Sequence, residues 1–155
     1  MCKKCWLTVV LLLVVVVGMS YSFIYQGKTI ESSDGRKAVV LNEAEKDLLL
    51  SEMRGFLTSV QQITTAVTAE DMKKIADSSR AMGTAAAAAV PATLMAKLPL
   101  EFKQLGLDTH KQFDMITLDA EELGDPQHSL KQLGHLMQNC LACHASYRVQ
   151  LEQTK

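Results

Sequence analysis

The chain has 155 residues, enough for one domain and an appendage, and its formal net charge at pH 7 is −1. Its 16 Lys and Arg are balanced by 17 Asp and Glu, so we predict no nucleic-acid partner, which would require a basic patch. Aromatic residues form only 5% of the chain, whereas Ala, Leu, Val and Met are frequent. This composition is typical of packed helices rather than of sheets.

The N-terminus carries Lys3 and Lys4, followed by an uncharged run over residues 5–25. As a helix this run is roughly 31 Å long, which matches a hydrocarbon core of about 30 Å. We therefore predict that residues 1–25 form a short cytoplasmic tail and a single-pass anchor in the inner membrane, with the following domain in the periplasm. A cleaved signal peptide is the alternative, but no clear A-x-A cleavage site is present.

Residues 26–41 are polar around Ser32 and Gly35 and show no period, which predicts a tether between membrane and domain. Asn42 follows as a candidate N-cap, with Glu43 and Glu45 in the first helical turn. Residues 42–155 are therefore predicted to form the folded domain.

Four helical segments are predicted in this domain. The first covers about 25 residues after Asn42, and the second begins after Thr68. The third begins at Leu100 or Leu107 and ends near Leu123. The sequence Gly-Asp-Pro at 124–126 predicts a helix stop and a new start, so the fourth runs over about 126–150. We predict an all-α fold, an antiparallel four-helix bundle without a sheet, preceded by one transmembrane helix.

The fourth segment carries Cys140 and Cys143 followed directly by His144, the spacing of c-type haem attachment. On a helix these positions share one face, so both thiols can bond the macrocycle while the imidazole ligates the iron. The motif predicts one covalently attached haem c, with His144 as metal ligand. The alternatives are half of a zinc site, which needs further ligands, and a redox CxxC, which needs a βαβ context.

Projection of the fourth helix places further side chains beside the motif. Leu133, Met137 and Tyr147 are predicted to line the macrocycle, and we assign them to cofactor binding. Arg148, one turn beyond His144, is predicted to stack on the imidazole or to pair with a haem propionate, and the alternative is a solvated residue near the helix end.

The predicted chain is a helix bundle with this motif late in its last helix, followed by Tyr147 and Arg148. This arrangement resembles the cytochrome c′ family, the class II c-type cytochromes. The resemblance covers roughly residues 42–151. It implies an exported haem with His144 as proximal ligand, frequent homodimers, and either electron transfer or binding of small gases. The predicted anchor departs from the usual soluble family member.

The resemblance also implies that the opposite side of the iron faces the first helix. Met53 is the only Met in that segment, and we predict it as the second metal ligand, with packing in the core as the alternative. His110 and His128 are predicted as surface or capping residues, and His135 lies on the same helix as His144.

These observations predict a membrane-anchored periplasmic cytochrome that transfers single electrons to or from a membrane-bound or periplasmic partner and is not an enzyme. One alternative is a five-coordinate haem protein that binds or senses NO or CO. The other is a haem subunit of a larger membrane redox complex.

Overall fold

The computed structural model describes residues 3–153, apart from the side chains of residues 3–5, 22 and 23. It is mostly helical, with one apolar N-terminal helix, six further α-helices and a small sheet among the described residues. The α-helices are α1 (Lys3–Ser20), α2 (Glu43–Thr68), α3 (Met72–Arg80), α4 (Thr84–Ala87), α5 (Ala92–Lys97), α6 (Leu100–Glu122) and α7 (Pro126–Ser146). The strands are β1 (Thr29–Glu31), β2 (Lys37–Leu41) and β3 (Tyr147–Leu151).

Helix α1 continues into a six-residue π-helix, Tyr21–Gln26. Together, Trp6–Gln26 form a helix of 21 residues, and its most apolar 18-residue stretch has a mean hydropathy of 2.5 and is not buried. It is long and apolar enough to cross a membrane, although a signal sequence would meet the same criterion. The first two residues of the predicted cytoplasmic tail lie outside the described residues.

The prediction of a chain without a sheet was wrong, and residues 26–41 are not a free tether. Strand β2 pairs with β1 in antiparallel orientation and with β3 in parallel orientation, in the order β1-β2-β3. Its residues Ala38, Val39 and Leu41 are completely buried. The strands have only three to five residues, too few for an alternating pattern to stand out, and β2 and β3 are more than 100 positions apart.

The fourth helix is also shorter than predicted. Helix α7 ends at Ser146, and Tyr147 has the extended backbone of a strand, with φ −129° and ψ 153°. Pairing of Lys37 with Tyr147 and of Leu41 with Leu151 draws these residues out of the helix. Tyr147 and Arg148 therefore do not share a helical face with the haem motif.

The second predicted helix is divided. Helix α3 begins three residues later than the predicted boundary at Thr68, with Asp71 as its N-cap, and it ends at Arg80. Gly83 then turns the chain, and the Asp114 carboxylate accepts hydrogen bonds from the amide and hydroxyl of Thr84 at 3.0 and 2.7 Å. A β-carbon at Gly83 would overlap the Asp114 carboxylate, so a larger residue there would displace that side chain from Thr84.

Other helix boundaries are confirmed. Asn42 and Glu45 form a reciprocal capping box at the start of α2. Gly124 has a φ of 63°, and the Asp125 side chain caps α7 with Pro126 in its first turn. Helix α6 begins at the earlier of the two predicted starts and ends at Glu122, next to the predicted end near Leu123.

Helix α2 packs against α3 and α7, and α6 packs against the same two helices. The four surround a core that includes Phe56 and Phe113, whose rings stack at 5.6 Å between centroids. A second cluster, around Leu41, Leu94 and Phe102, joins α2, α5 and α6 to the sheet. Met53 contacts both clusters, so it lies at the boundary between them.

We expect Gly27→Ala to destabilise the fold strongly. Gly27 has a φ of +60°, and an added β-carbon would lie 2.5 Å from the Lys97 carbonyl oxygen. The strain and the clash together should lower the free energy of unfolding by about 3 kcal/mol, or Tm by about 6–12 °C.

Gly35→Ala is the matched control, since Gly35 has a φ of +82° but no atoms near its added β-carbon. Backbone strain alone should cost about 1 kcal/mol there, or roughly 2–4 °C. Thermal unfolding of the full chain in detergent, followed by circular dichroism, compares the two. Equal shifts would contradict the close packing of Gly27 against residues 97–99.

Candidate functional site

The last two turns of α7 bring the motif residues together as predicted. Cys140 and Cys143 are partly buried free thiols, and His144 is exposed. The helix is continuous through all three positions, so they lie on one face. All three side chains line the same cavity.

This wide cavity has a volume of about 400 Å³ and lies between α2, α6 and α7. Its volume is within the range of about 300–1,000 Å³ that is common for cofactor sites. Its walls are mainly apolar. Helix α2 contributes Leu50, Met53, Arg54, Phe56, Leu57 and Val60, helix α6 contributes Phe102, Leu105, Gly106 and Thr109, and α7 contributes Met137 and Asn139 beside the motif.

A narrow cavity of about 280 Å³ adjoins it near the sheet. Leu50, Met53, Phe102, Cys143 and His144 line both cavities. The remaining walls of the narrow cavity are Arg36, Lys46, Leu49, Tyr147, Arg148 and Val149. The motif thus lies at the junction of the apolar wide cavity and the narrow cavity, which has cations at its border.

The two thiols are in an environment that keeps them protonated. Burial raises the pKa of Cys140, and burial followed by the proximity of Cys140 raises the pKa of Cys143 to about 11. Redox-active CxxC pairs act as thiolates, which this environment disfavours. No three His, Cys, Asp or Glu side chains within the described part of the chain are grouped so that they could hold a metal ion.

Arg36 holds the end of α7 in place. Its Nη1 donates to the carbonyl oxygens of His144 and Tyr147 at 3.2 and 3.4 Å. Its Nε and Nη2 donate to the Asp34 carboxylate at 3.0 and 2.7 Å, and these bonds hold the pKa of Asp34 far below its usual range. A cation at a helix C-terminus also interacts favourably with the helix dipole. The turn before β2 therefore fixes the backbone of the predicted iron ligand.

Tyr147 reaches the site from β3 rather than from α7. It is buried, its hydroxyl donates to Glu101 Oε2 at 2.9 Å, and its ring packs edge-to-face on Phe102 at 5.4 Å. Burial and the Glu101 carboxylate raise the pKa of Tyr147. Arg148, next on the strand, donates from Nη1 to Ser32 Oγ at 3.0 Å.

The remaining predicted residues separate into two groups. Met53 lines both cavities from α2, and Met137 lines the wide cavity from α7. Leu133 is buried in the core with Phe113 and lines neither cavity. Leu133 lies on the same face of α7 as the motif, but it is one helical turn before Met137, where the lining of the wide cavity begins.

The prediction that His110 is a surface or capping residue was wrong. Only 3% of it is exposed, and its ring lies 5.0 Å from that of Phe56. Its Nδ1 is 2.8 Å from the Met82 carbonyl oxygen, and its Nε2 is 3.3 Å from Glu52 Oε1. Both ring nitrogens therefore face acceptors, which favours the imidazolium. Its position three residues before Phe113 on the apolar stripe is the signal that indicates burial.

The other two histidines lie away from the cavities. His128 pairs with Asp119 at 2.9 Å near the start of α7, and His135 is exposed on the same helix. Sequence reasoning did not find Arg36 and Lys46, because neither belongs to a motif and Arg36 precedes the predicted domain.

Comparison of the chain with protein-family models, curated proteins and solved structures finds no significant match. The functional interpretation therefore depends on the residues and geometry of the site.

We expect the Glu52–His110 pair to make stability depend on pH. Burial lowers the pKa of His110, but the hydrogen bonds to Glu52 and to the Met82 carbonyl outweigh it, and the net pKa is raised. The pair's contribution should be complete below about pH 6.5, the pKa of an unfolded His, and should decline as pH rises through the folded pKa.

Glu52→Gln should therefore lower Tm most below about pH 6.5 and less at higher pH. Thermal unfolding between pH 5.5 and 9 measures this difference. Glu122→Gln, on the exposed end of α6, is the control and should leave the pH profile unchanged. A Tm difference that is the same at every pH would show that His110 is not charged in the folded protein.

Proposed function

We propose that the chain is a membrane-anchored c-type cytochrome of the cytochrome c′ type, which binds one haem c and transfers single electrons in the periplasm. The observation that carries this proposal is the placement of two free thiols and an imidazole on one wall of an apolar cavity of about 400 Å³ between three long helices. A protein interior is normally close-packed, so an apolar space of this size beside reactive side chains favours a bound group.

The residues present fit a haem. Cys140 and Cys143 would each add the S–H of a thiol across a vinyl group, which forms one C–S and one C–H bond with no leaving group and no oxidant. His144 would supply a ring nitrogen from the same wall, with its backbone held by Arg36. When bound, the haem supplies an iron that exchanges one electron without making or breaking a substrate bond.

We propose that Met53 would supply the second protein ligand of the iron. It is the only Met of α2 and lies on the wall across from α7, lining both cavities. A thioether ligand raises the reduction potential and suits an electron carrier. The apolar neighbours Leu50, Leu57 and Val60 favour a second candidate function, because without a Met ligand this side would be an apolar pocket for NO or CO.

The architecture is consistent with a cytochrome c′-like bundle in which α2, α3, α6 and α7 are the four helices. Helix α3 has nine residues against 21–26 in the others, so the bundle would have one short member. The sheet and α5 would be additions that close its open end.

The anchor supports a carrier that works at the membrane surface. Only Gly27 and Lys28 separate the π-helix from β1, and the Lys28 amide donates to the Lys97 carbonyl at 2.7 Å. If Trp6–Gln26 spans the inner membrane, the domain would have almost no freedom to diffuse away. We therefore propose a redox partner that is itself membrane-bound or that docks at the membrane. Homodimers, and a role as the haem subunit of a larger complex, stay open within this proposal.

The spectrum of the purified full-length protein tests the electron-transfer role. We expect a low-spin six-coordinate iron that cycles reversibly between its oxidised and reduced forms, and we expect Met53→Ala to turn it high-spin. Met115→Ala is the matched control, because Met115 is an exposed Met of α6 that lines neither cavity. A high-spin wild type that binds CO would favour the gas-binding function instead.

A further inference from the structure

The border of the narrow cavity carries three cations, Arg36, Lys46 and Arg148. Arg54 is the only Lys or Arg among the residues that line the wide cavity, and its walls are mainly apolar. Positive charge is therefore concentrated at one end of the combined space, where α2 begins and where α7 passes into β3.

The three cations differ in how many hydrogen-bond acceptors and carboxylates of the protein already bind them. Arg36 is bound to Asp34 through two nitrogens and to two carbonyl oxygens through a third. Arg148 donates to Ser32 and lies 3.7 Å from the same Asp34 carboxylate. The Asp34 carboxylate thus contacts both guanidinium groups, and its contacts with Arg36 are shorter than its contact with Arg148.

Lys46 has no such partner. Within the described part of the chain, no carboxylate lies within 4 Å of its ammonium group, although its side chain is only partly exposed. Of the three acids beside it on α2, Glu45 is paired with Lys97 at 2.6 Å, and neither Glu43 nor Asp47 forms an ion pair with Lys46. A partly desolvated cation beside an apolar cavity is stabilised by an anion in that cavity.

The spacing along α2 connects this cation to the proposed haem site. Lys46, Leu50 and Met53 lie at i, i+4 and i+7 and therefore on one face. All three line the narrow cavity. The face changes from cationic to apolar in the direction of Phe56 and the wide cavity.

We propose that Lys46 and Arg148 form a subsite for two carboxylates, which on the proposed function are the two propionates of the haem. Arg36 is a positioning residue in this arrangement, since its charge is used by Asp34 and by the end of α7. The apolar body of the cofactor then occupies the wide cavity, and its acidic edge faces the cationic border.

The subsite affects the iron through charge. Lys46 and Arg148 hold both carboxylates ionised, so the midpoint potential should not change with pH near neutrality. Without these cations the carboxylates would titrate nearer neutrality, and the loss of positive charge would favour the oxidised iron.

The test uses full-length holoprotein in detergent, with the variants Lys46→Gln and Arg148→Gln and the double variant. Redox titration followed by absorbance gives the midpoint potential between pH 5 and 9. We expect a flat profile for the wild type. Each single variant should have a more negative midpoint potential, and the double variant should also acquire a pH-dependent slope between pH 5 and 8.

Lys131→Gln and Arg80→Gln are the matched controls, because these residues are exposed and line neither cavity. Potentials and slopes of the Lys46 and Arg148 variants that equal those of the controls would overturn the subsite. If Arg148→Gln fails to fold, the Lys46→Gln variant alone tests the subsite. Lys46 forms no ion pair, so its replacement should not prevent folding. A wild type without covalent haem would instead overturn the proposed function and the subsite with it, and a haem stain on a denaturing gel distinguishes that case.

Discussion

The functional site depends on the direct connection of helix α7 to strand β3. No loop separates Ser146 from Tyr147, so the helix that carries the motif is continuous with a strand of the sheet. That strand pairs in parallel with β2, and Arg36, just before β2, bonds the carbonyl oxygens of His144 and Tyr147. The backbone of the motif is thus held from within its helix and from the sheet beyond it.

The space beside the motif follows from the lengths of the helices. Helix α3 has only nine residues and covers the core at one end, where Ile63, Ile75 and Ile116 are completely buried. At the other end the longer helices α2, α6 and α7 extend past it, and α5 and the sheet close the structure through a second cluster. The two cavities lie between these clusters, with Met53 at the boundary. Side chains alone do not fill this region, which is the physical basis for placing a cofactor there.

Features that depend on residues close together in the sequence, such as helix starts and the face of a motif, were predictable. The capping box of Asn42 and the Gly-Asp-Pro signal at 124–126 indicate the right starts for α2 and α7, and the motif spacing indicates the right face for Cys140, Cys143 and His144. Contacts between distant segments were not predictable in this way. The pairing of β2 with β3, the placement of Tyr147 on a strand, and the hydrogen bonds of Arg36 all join residues more than 100 positions apart. His110 is intermediate, because its stripe position indicates burial whereas its polar ring suggests the surface.

The proposed function depends on covalent attachment of haem at Cys140 and Cys143, and the mass of one peptide tests this attachment most directly. Trypsin cleavage after Lys131 and Arg148 releases the peptide Gln132–Arg148, which contains both thiols and His144. For the full-length protein made in cells that mature c-type cytochromes, we expect this peptide with the added mass of one haem and no thiol left to alkylate. The same peptide at its unmodified mass, with both cysteines open to alkylation, would contradict covalent attachment of haem.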